Sequence, residues 1–202
     1  WSHGDQEIFT RAELVERFDW GHVGHTGARW DQKKLAHVQA SHLRMLEPSQ
    51  VAALTLPFVR ARGLTVQDDD PRLAAAAALV MPRAGTLVEV AEAVDYFFRD
   101  APVFDAAAAQ KLLTPDSADK LEALCAQLEA VEPFERATLE ARTKAWLEAQ
   151  AMELQDVAQA ARVALTGRKA SPGLFEVIEV LGRSAAIARL RAGAARARST
   201  TA

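Results

Sequence analysis

Apolar residues recur at three- and four-residue spacings along most of the chain, the period of amphipathic helices rather than of strands. Leu121, Leu124, Cys125 and Leu128 form one such stripe; Leu35, Val38, Leu43 and Leu46 form another, behind Asp31 as a helix start. Phe9, Leu14, Val15 and Phe18 mark a short first helix, with Thr10 as N-cap and Glu13 three residues later in capping-box spacing. The pattern predicts further helices over 50–62, 72–81, 86–98, 105–113, 116–131, 134–150, 154–165, 173–182 and 183–196. Gly63 closes one of them. Asp70-Pro71 opens another, because an acid complements the helix dipole and proline suits a first turn. Pro48, Pro82, Pro102, Pro115, Pro133 and Pro172 punctuate the rest. No segment alternates with period two and no glycine-rich turn follows a strand, so neither a dinucleotide-binding unit nor a P-loop is read. The expectation is an all-α chain, a bundle or cage of about ten helices in two to three subdomains, with a frayed tail over 192–202.

Of the 202 residues half are apolar, enough for a substantial core. No stretch approaches the ~18 apolar residues of a membrane span, and none reads as a charged-then-apolar leader. The chain opens at Trp1 rather than Met, which reads as a piece of a longer protein. Cys125 is the only cysteine; no internal disulfide can form, which fits a reducing cytoplasm, and its place in an apolar stripe makes it core filler. Net charge is −3, but it is unevenly spread: residues 162–202 hold eight Lys and Arg against two acids, +6, leaving −9 on the remainder. A basic end on an acidic body suits a protein that meets a phosphate backbone with one surface, or is simply a solvated basic helix.

Few residues suggest chemistry of their own. His3, His22, His25, His37 and His42 crowd the first 42 residues without the spacing or cysteines of a zinc site, so no metal ligands are assigned. The acids look like solvated helix faces, and no Ser/His/Asp set emerges; no catalytic residue is assigned. Trp20, Trp30 and Trp146 are candidate base-stacking platforms, with Trp30 and Trp146 read as core anchors. Read alone, Arg83 is an exposed charge after a helix end.

Arg162 to Arg183 is the most informative stretch. It reads helix, tight loop, helix, with basic residues entering the loop and the second helix starting at Ser171-Pro172-Gly173. Such a loop gathers backbone N–H groups, a hydroxyl and arginines, which suits an anionic or base-edge ligand. Its Leu165-Thr-Gly … Ser171-Pro-Gly-Leu-Phe-Glu176 pattern resembles the C-terminal anticodon-binding region of bacterial glutamyl-tRNA synthetases. The opening Trp1-Ser-His-Gly-Asp-Gln-Glu-Ile-Phe, then Trp30-Asp-Gln-Lys-Lys-Leu35, then Leu79-Val-Met-Pro-Arg-Ala-Gly-Thr-Leu87 are similar to segments of the same family, in the same order. After Leu35 the chain departs from the family pattern, with His37, Gln39 and His42 where the family has Trp, Asn and Tyr.

The resemblance implies a recognition half without its catalytic half, so the chain alone carries no active site and binds no cofactor; ATP and Mg²⁺ belong to the parent glutamate–tRNA ligase. It implies residues 1–47 as a stem-contact region, 48–100 as a first anticodon-binding helical subdomain and 101–202 as a second. It assigns the anticodon bases to Arg83, Arg162, Ser171, Pro172 and Leu174. Lys33, Lys34, Arg168 and Lys169 are candidates for the tRNA backbone. The implied partners are a glutamate tRNA and the catalytic domain of the same enzyme, in a cytoplasmic monomer with no membrane contact. An alternative from a different class is a non-catalytic helical scaffold that binds a protein partner, in keeping with the acidic body and the altered 37–42 segment.

Overall fold

A computed structural model describes residues 1, 3–27 and 29–199; Ser2, within the opening motif, and residues 200–202 of the expected tail lie outside the described residues. The described residues hold eleven α-helices: α1 (Arg11–Arg17), α2 (Gln32–Arg44), α3 (Pro48–Ala61), α4 (Pro71–Val80), α5 (Leu87–Val94), α6 (Ala106–Leu112), α7 (Pro115–Glu129), α8 (Arg136–Ala149), α9 (Gln155–Thr166), α10 (Leu174–Leu181) and α11 (Arg183–Ser199). Short 3₁₀ turns occupy Trp20–His22, Met81–Arg83 and Asp95–Phe98. No named strand occurs among them, so the all-α expectation holds.

Local chemistry sets the helix starts. The Glu13 N–H donates to Thr10 Oγ1 while the Glu13 carboxylate accepts from the Thr10 N–H, 2.7 Å, completing the capping box. Asp31 accepts from the N–H groups of Lys33 and Lys34, and Asp70 from that of Arg72. Thr86 Oγ1 caps α5 through the Glu89 N–H, and Asp105 caps α6 through the Ala108 N–H.

Helices α3, α4 and α5 pack on one another; α11 lies along α7 and α9; and α10 touches α8, α9 and α4, joining the two groups. One continuous apolar cluster runs from Leu43 in α2 to Ala197 in α11. Helix α11 crosses α9 closely at Gly193, where a Cβ would stand 2.4 Å from the Ala164 Cβ. A larger residue there would force α11 off α9.

Three expectations change. The helix predicted over 86–98 ends at Val94 and tightens into the 95–98 turn. This frees the Tyr96 carbonyl to accept from Arg189 instead of from a following helical N–H. The tail predicted to fray is helical to Ser199, because Ala194 and Ala197 are buried. Trp30, read as a core anchor, is 73% exposed, its indole N–H donating to the side chain of Gln32. The same holds for α1, which buries none of its residues: Leu14, Val15 and neighbouring Phe18 stay exposed, and only Phe9 is covered. About thirty residues with one short helix have too little apolar area to enclose a core of their own. Trp1 instead gathers Phe9 and Phe18 into a small aromatic cluster, with centroids 5.4 and 5.8 Å away.

The basic C-terminal end is also less open than its sequence suggests. Arg183 donates to the carbonyls of Glu129 and Val131 and pairs with Glu132; Arg191 pairs with Glu129; Arg198 pairs with Glu122 and Asp119. The acids of α7 and its C-terminal end stand beside the arginines of α11, so the charges separated along the chain meet in space. Arg189 is 4% exposed. Its guanidinium donates to the carbonyls of Leu165, Tyr96 and Arg99 at 2.8, 2.8 and 2.5 Å, and burial lowers its pKa. It ties the C-terminal end of α9 to the 95–98 turn, a cation at a helix C-terminus.

Candidate nucleic-acid interface

Arg83 ends the 3₁₀ turn that follows α4, where Pro82 prevents the helix from continuing. It is exposed and makes no hydrogen bond or ion pair among the described residues. Seventy-nine residues later, Arg162 leaves the last turns of α9 half-buried. Its Nη1 donates to the Ser171 carbonyl at 3.0 Å, to the Pro172 carbonyl at 2.7 Å and to Ser171 Oγ. One guanidinium therefore fixes the turn that begins α10. Burial lowers the Arg162 pKa, with the positive charge of Arg83 adding to it less strongly.

Arg83 and the Ser171-Pro172 turn that Arg162 holds meet at one open cavity of about 520 Å³. Val80, Arg83 and Ala84 form one wall; Glu89, Glu92, Ala93 and Tyr96, from α5 and the turn after it, form a second; Arg168, Ala170, Ser171 and Pro172 form the third. Tyr96 is buried, its pKa raised by that burial, and its hydroxyl has no partner among the described residues. Leu174 stands apart: at 6% exposed it belongs to the apolar core beneath the turn and does not line the cavity.

The loop carrying this third wall is held in two places. Gly167 ends α9 in the left-handed conformation (φ 77°), and a Cβ there would lie 2.1 Å from the Val103 carbonyl oxygen. The Asp105 N–H also donates to the Gly167 carbonyl at 2.8 Å. Farther on, Arg168 reaches across the cavity: its Nη2 donates to the Glu92 carbonyl at 2.9 Å and pairs with Asp95 at 2.7 Å, with the guanidinium 5.6 Å from the Tyr96 ring centre. Buried Asp95 also receives Arg62 at 3.3 Å and Arg99 at 3.5 Å. Arg168 thus has a structural partner, whereas Lys169 is exposed in the same loop. Lys33 is exposed on α2, and neighbouring Lys34 pairs with Glu7 at 2.6 Å.

The sequence alone did not single out Asp95, Tyr96, Glu89 or Glu92. A signal was available: residues 89, 92, 93 and 96 fall at i, i+3, i+4 and i+7, one helical face pointing away from the apolar stripe of Val90, Ala91 and Val94. Among the described residues no group of three or more His, Cys, Asp or Glu side chains is placed to hold a metal ion, and no helix is long and apolar enough to cross a membrane.

The all-helical fold agrees with what comparison with known proteins finds. The anticodon binding domain family matches residues 50–194, and the chain belongs to that family. Its relatives include glutamate–tRNA ligases: that of Anaeromyxobacter sp. (strain Fw109-5) is 41% identical over 191 residues, covering 94% of this chain and 40% of that protein. That of Desulfosudis oleivorans is 36% identical over 190 residues, again covering 94% of this chain and 40% of the relative. The chain spans about 40% of the length of these relatives. The crystal structure of a glutamate tRNA ligase from Elizabethkingia meningosepticum shares the fold, with a TM-score of 0.82 at 19% identity over 94% of this chain and 37% of that one.

Proposed function

We propose that this chain reads the anticodon of a glutamate tRNA, as the recognition part of a longer glutamate–tRNA ligase. The observation that carries the reading is the meeting of Arg83 with the Arg162-bound turn in one cavity, although 79 residues separate the arginines in the chain. Arg83 inspects an anticodon cytosine. An unpaired cytosine offers adjacent N3 and O2 acceptors on its pairing edge, and a guanidinium fork without an internal partner can donate to both. Arg162 and the 171–174 turn hold the other two bases. Nη1 of Arg162 shapes the turn while Nε and Nη2 stay available, Ser171 offers its hydroxyl, Pro172 gives a rigid apolar surface, and Leu174 supports the turn from the core.

Lys33, Lys34 and Lys169 meet tRNA phosphates, and Arg168 does so only as far as Asp95 leaves it free. Residues 1–47 contact the tRNA stem, with 48–100 and 101–202 as the two anticodon-binding subdomains. The exposed apolar residues of the first 35 positions face the catalytic domain of the same enzyme, where ATP, Mg²⁺ and glutamate bind. The parent acts in the cytoplasm as a monomer. The test is Arg83→Gln, assayed by binding of anticodon stem-loops in which the anticodon cytosine is kept or replaced by uracil. The wild-type preference of roughly 1–3 kcal/mol for cytosine should be lost. An unchanged preference would refute the assignment of Arg83.

A further inference from the structure

Asp95 is a buried carboxylate, 6% exposed, on which three arginines converge from three parts of the chain. Its Oδ2 is shared by Arg62, from the C-terminal end of α3, at 3.3 Å and by Arg99, just past the 95–98 turn, at 3.5 Å. Its Oδ1 receives Arg168 at 2.7 Å, the shortest of the three contacts. Arg168 is the one of the three that comes from the loop carrying Ser171 and Pro172. The same Nη2 also donates to the Glu92 carbonyl at 2.9 Å. Arg168 thereby fastens the start of the loop to α5 and the turn after it, while Arg162 fastens its end at the Ser171 and Pro172 carbonyls.

An arginine in an RNA-binding loop is ordinarily read as a phosphate contact. Here that role is unfavourable. To reach a phosphate, Arg168 would give up a buried carboxylate and a carbonyl together. Asp95 would then keep only the two longer contacts, in a place nearly closed to water. Removing one partner of a buried pair is penalised more heavily than an exposed ion pair gains. The geometry suits a strut instead. A loop already ordered before RNA arrives does not have to be ordered by it, so less of the interaction free energy is lost on binding. Exposed Lys169, next in the loop, stays available for phosphate.

We propose that Asp95 is a positioning residue for anticodon binding. Through Arg168 it holds the 167–173 loop in the shape that presents Ser171 and Pro172, and Arg168 stays on Asp95 when RNA is bound. This rests on the anticodon-reading function given above.

The experiment titrates the 202-residue chain with the anticodon stem-loop of a glutamate tRNA at several salt concentrations, well below the melting temperature of each variant. Asp95→Asn keeps the side-chain volume and removes the charge. Arg168→Gln removes the strut from its other end. Each is expected to weaken binding roughly tenfold. Arg168→Gln should add nothing in the Asp95→Asn background, and should leave the slope of log affinity against log salt as in the wild type. A slope shallower by about 0.7 in Arg168→Gln, the loss of one single-strand phosphate contact, would overturn the proposal. So would variants that melt earlier yet bind as the wild type does, since Asp95 would then serve stability alone. Should Asp95→Asn not fold, the affinity and salt slope of Arg168→Gln decide the matter by themselves. If the wild type prefers its own anticodon while both variants match it, the anticodon reading stands and this proposal fails. If the wild type does not bind the stem-loop even at low salt, that reading fails and this proposal with it.

Discussion

Gly63 and Gly167 share a φ of +77°, but only one of them has a neighbour. Replacing each with alanine separates backbone strain from steric conflict. At Gly63 nothing lies within 4 Å of the new Cβ, so the loss is the left-handed conformation alone, about 1–2 kcal/mol. At Gly167 the Cβ would stand 2.1 Å from the Val103 oxygen and 2.7 Å from its carbon. Ordinary contact is at roughly 3.5 Å, so the backbone must give by more than an ångström. Segment 103–105 resists, because Phe104 packs on the core and Asp105 both caps α6 and donates to the Gly167 carbonyl. Overpacking of about 1–3 kcal/mol and a lost hydrogen bond of about 1 kcal/mol then add to the strain. Gly167→Ala should lose about 3–6 kcal/mol in urea unfolding, against about 1–2 for Gly63→Ala. In melting temperature, each kcal/mol is about 2–4 °C for a chain of this size. Equal losses at the two sites, within about 0.5 kcal/mol, would refute the claim that Val103 and Gly167 are held in fixed contact.

Arg189→Met keeps much of the side-chain volume but leaves the carbonyls of Leu165, Tyr96 and Arg99 without their donor. The urea midpoint should fall by an amount worth about 3–5 kcal/mol, with Arg189→Lys recovering only part, since an ammonium cannot span three carbonyls. Burial pushes the Cys125 thiol from an ordinary 9.0 up to about 11, so the folded chain holds that proton more tightly than the unfolded chain. This stabilisation is fully present below pH 9 and is lost as pH rises toward 11, about 2–3 kcal/mol in all. Cys125→Ala should flatten that part of an alkaline unfolding series, leaving the loss from Tyr96, whose pKa burial also raises. A thiol reagent should label native Cys125, 2% exposed, only at the rate of unfolding.

The helix starts were legible in the sequence because they are local. Thr10 with Glu13, Asp31 and Asp70-Pro71 each satisfy their own first turn within three residues, and the structure keeps all of them. Cys125 and its stripe were legible for a similar reason, since period alone assigns a face. Long-range partners were not. Arg189 reads as one more cation of a basic helix until the 95–98 turn, over ninety residues away, closes on it. The charge asymmetry misled for the same reason, because Arg191 and Arg198 meet α7 acids more than sixty residues away. Trp30 misled in the opposite sense: its place at a helix start suits an anchor, but too little of this chain surrounds it. At the cavity, Arg83, Ser171 and Pro172 came from motif resemblance, as did Arg162; the structure sets the first three in its lining and bonds Arg162 to the turn. Glu89 and Tyr96 were within reach of a helical-face argument, which only the cavity makes meaningful.

The central claim is that this chain reads bases and does not merely attract phosphate. It is tested most directly by titrating the chain with a glutamate tRNA and with the same tRNA altered at the anticodon cytosine, at low and moderate salt. Phosphate contacts alone fall steeply with salt and ignore the base. The account predicts a preference of roughly 1–3 kcal/mol for the native anticodon that persists as salt weakens both complexes. Base-blind binding would contradict it, and no binding even at low salt would favour a protein-binding scaffold instead.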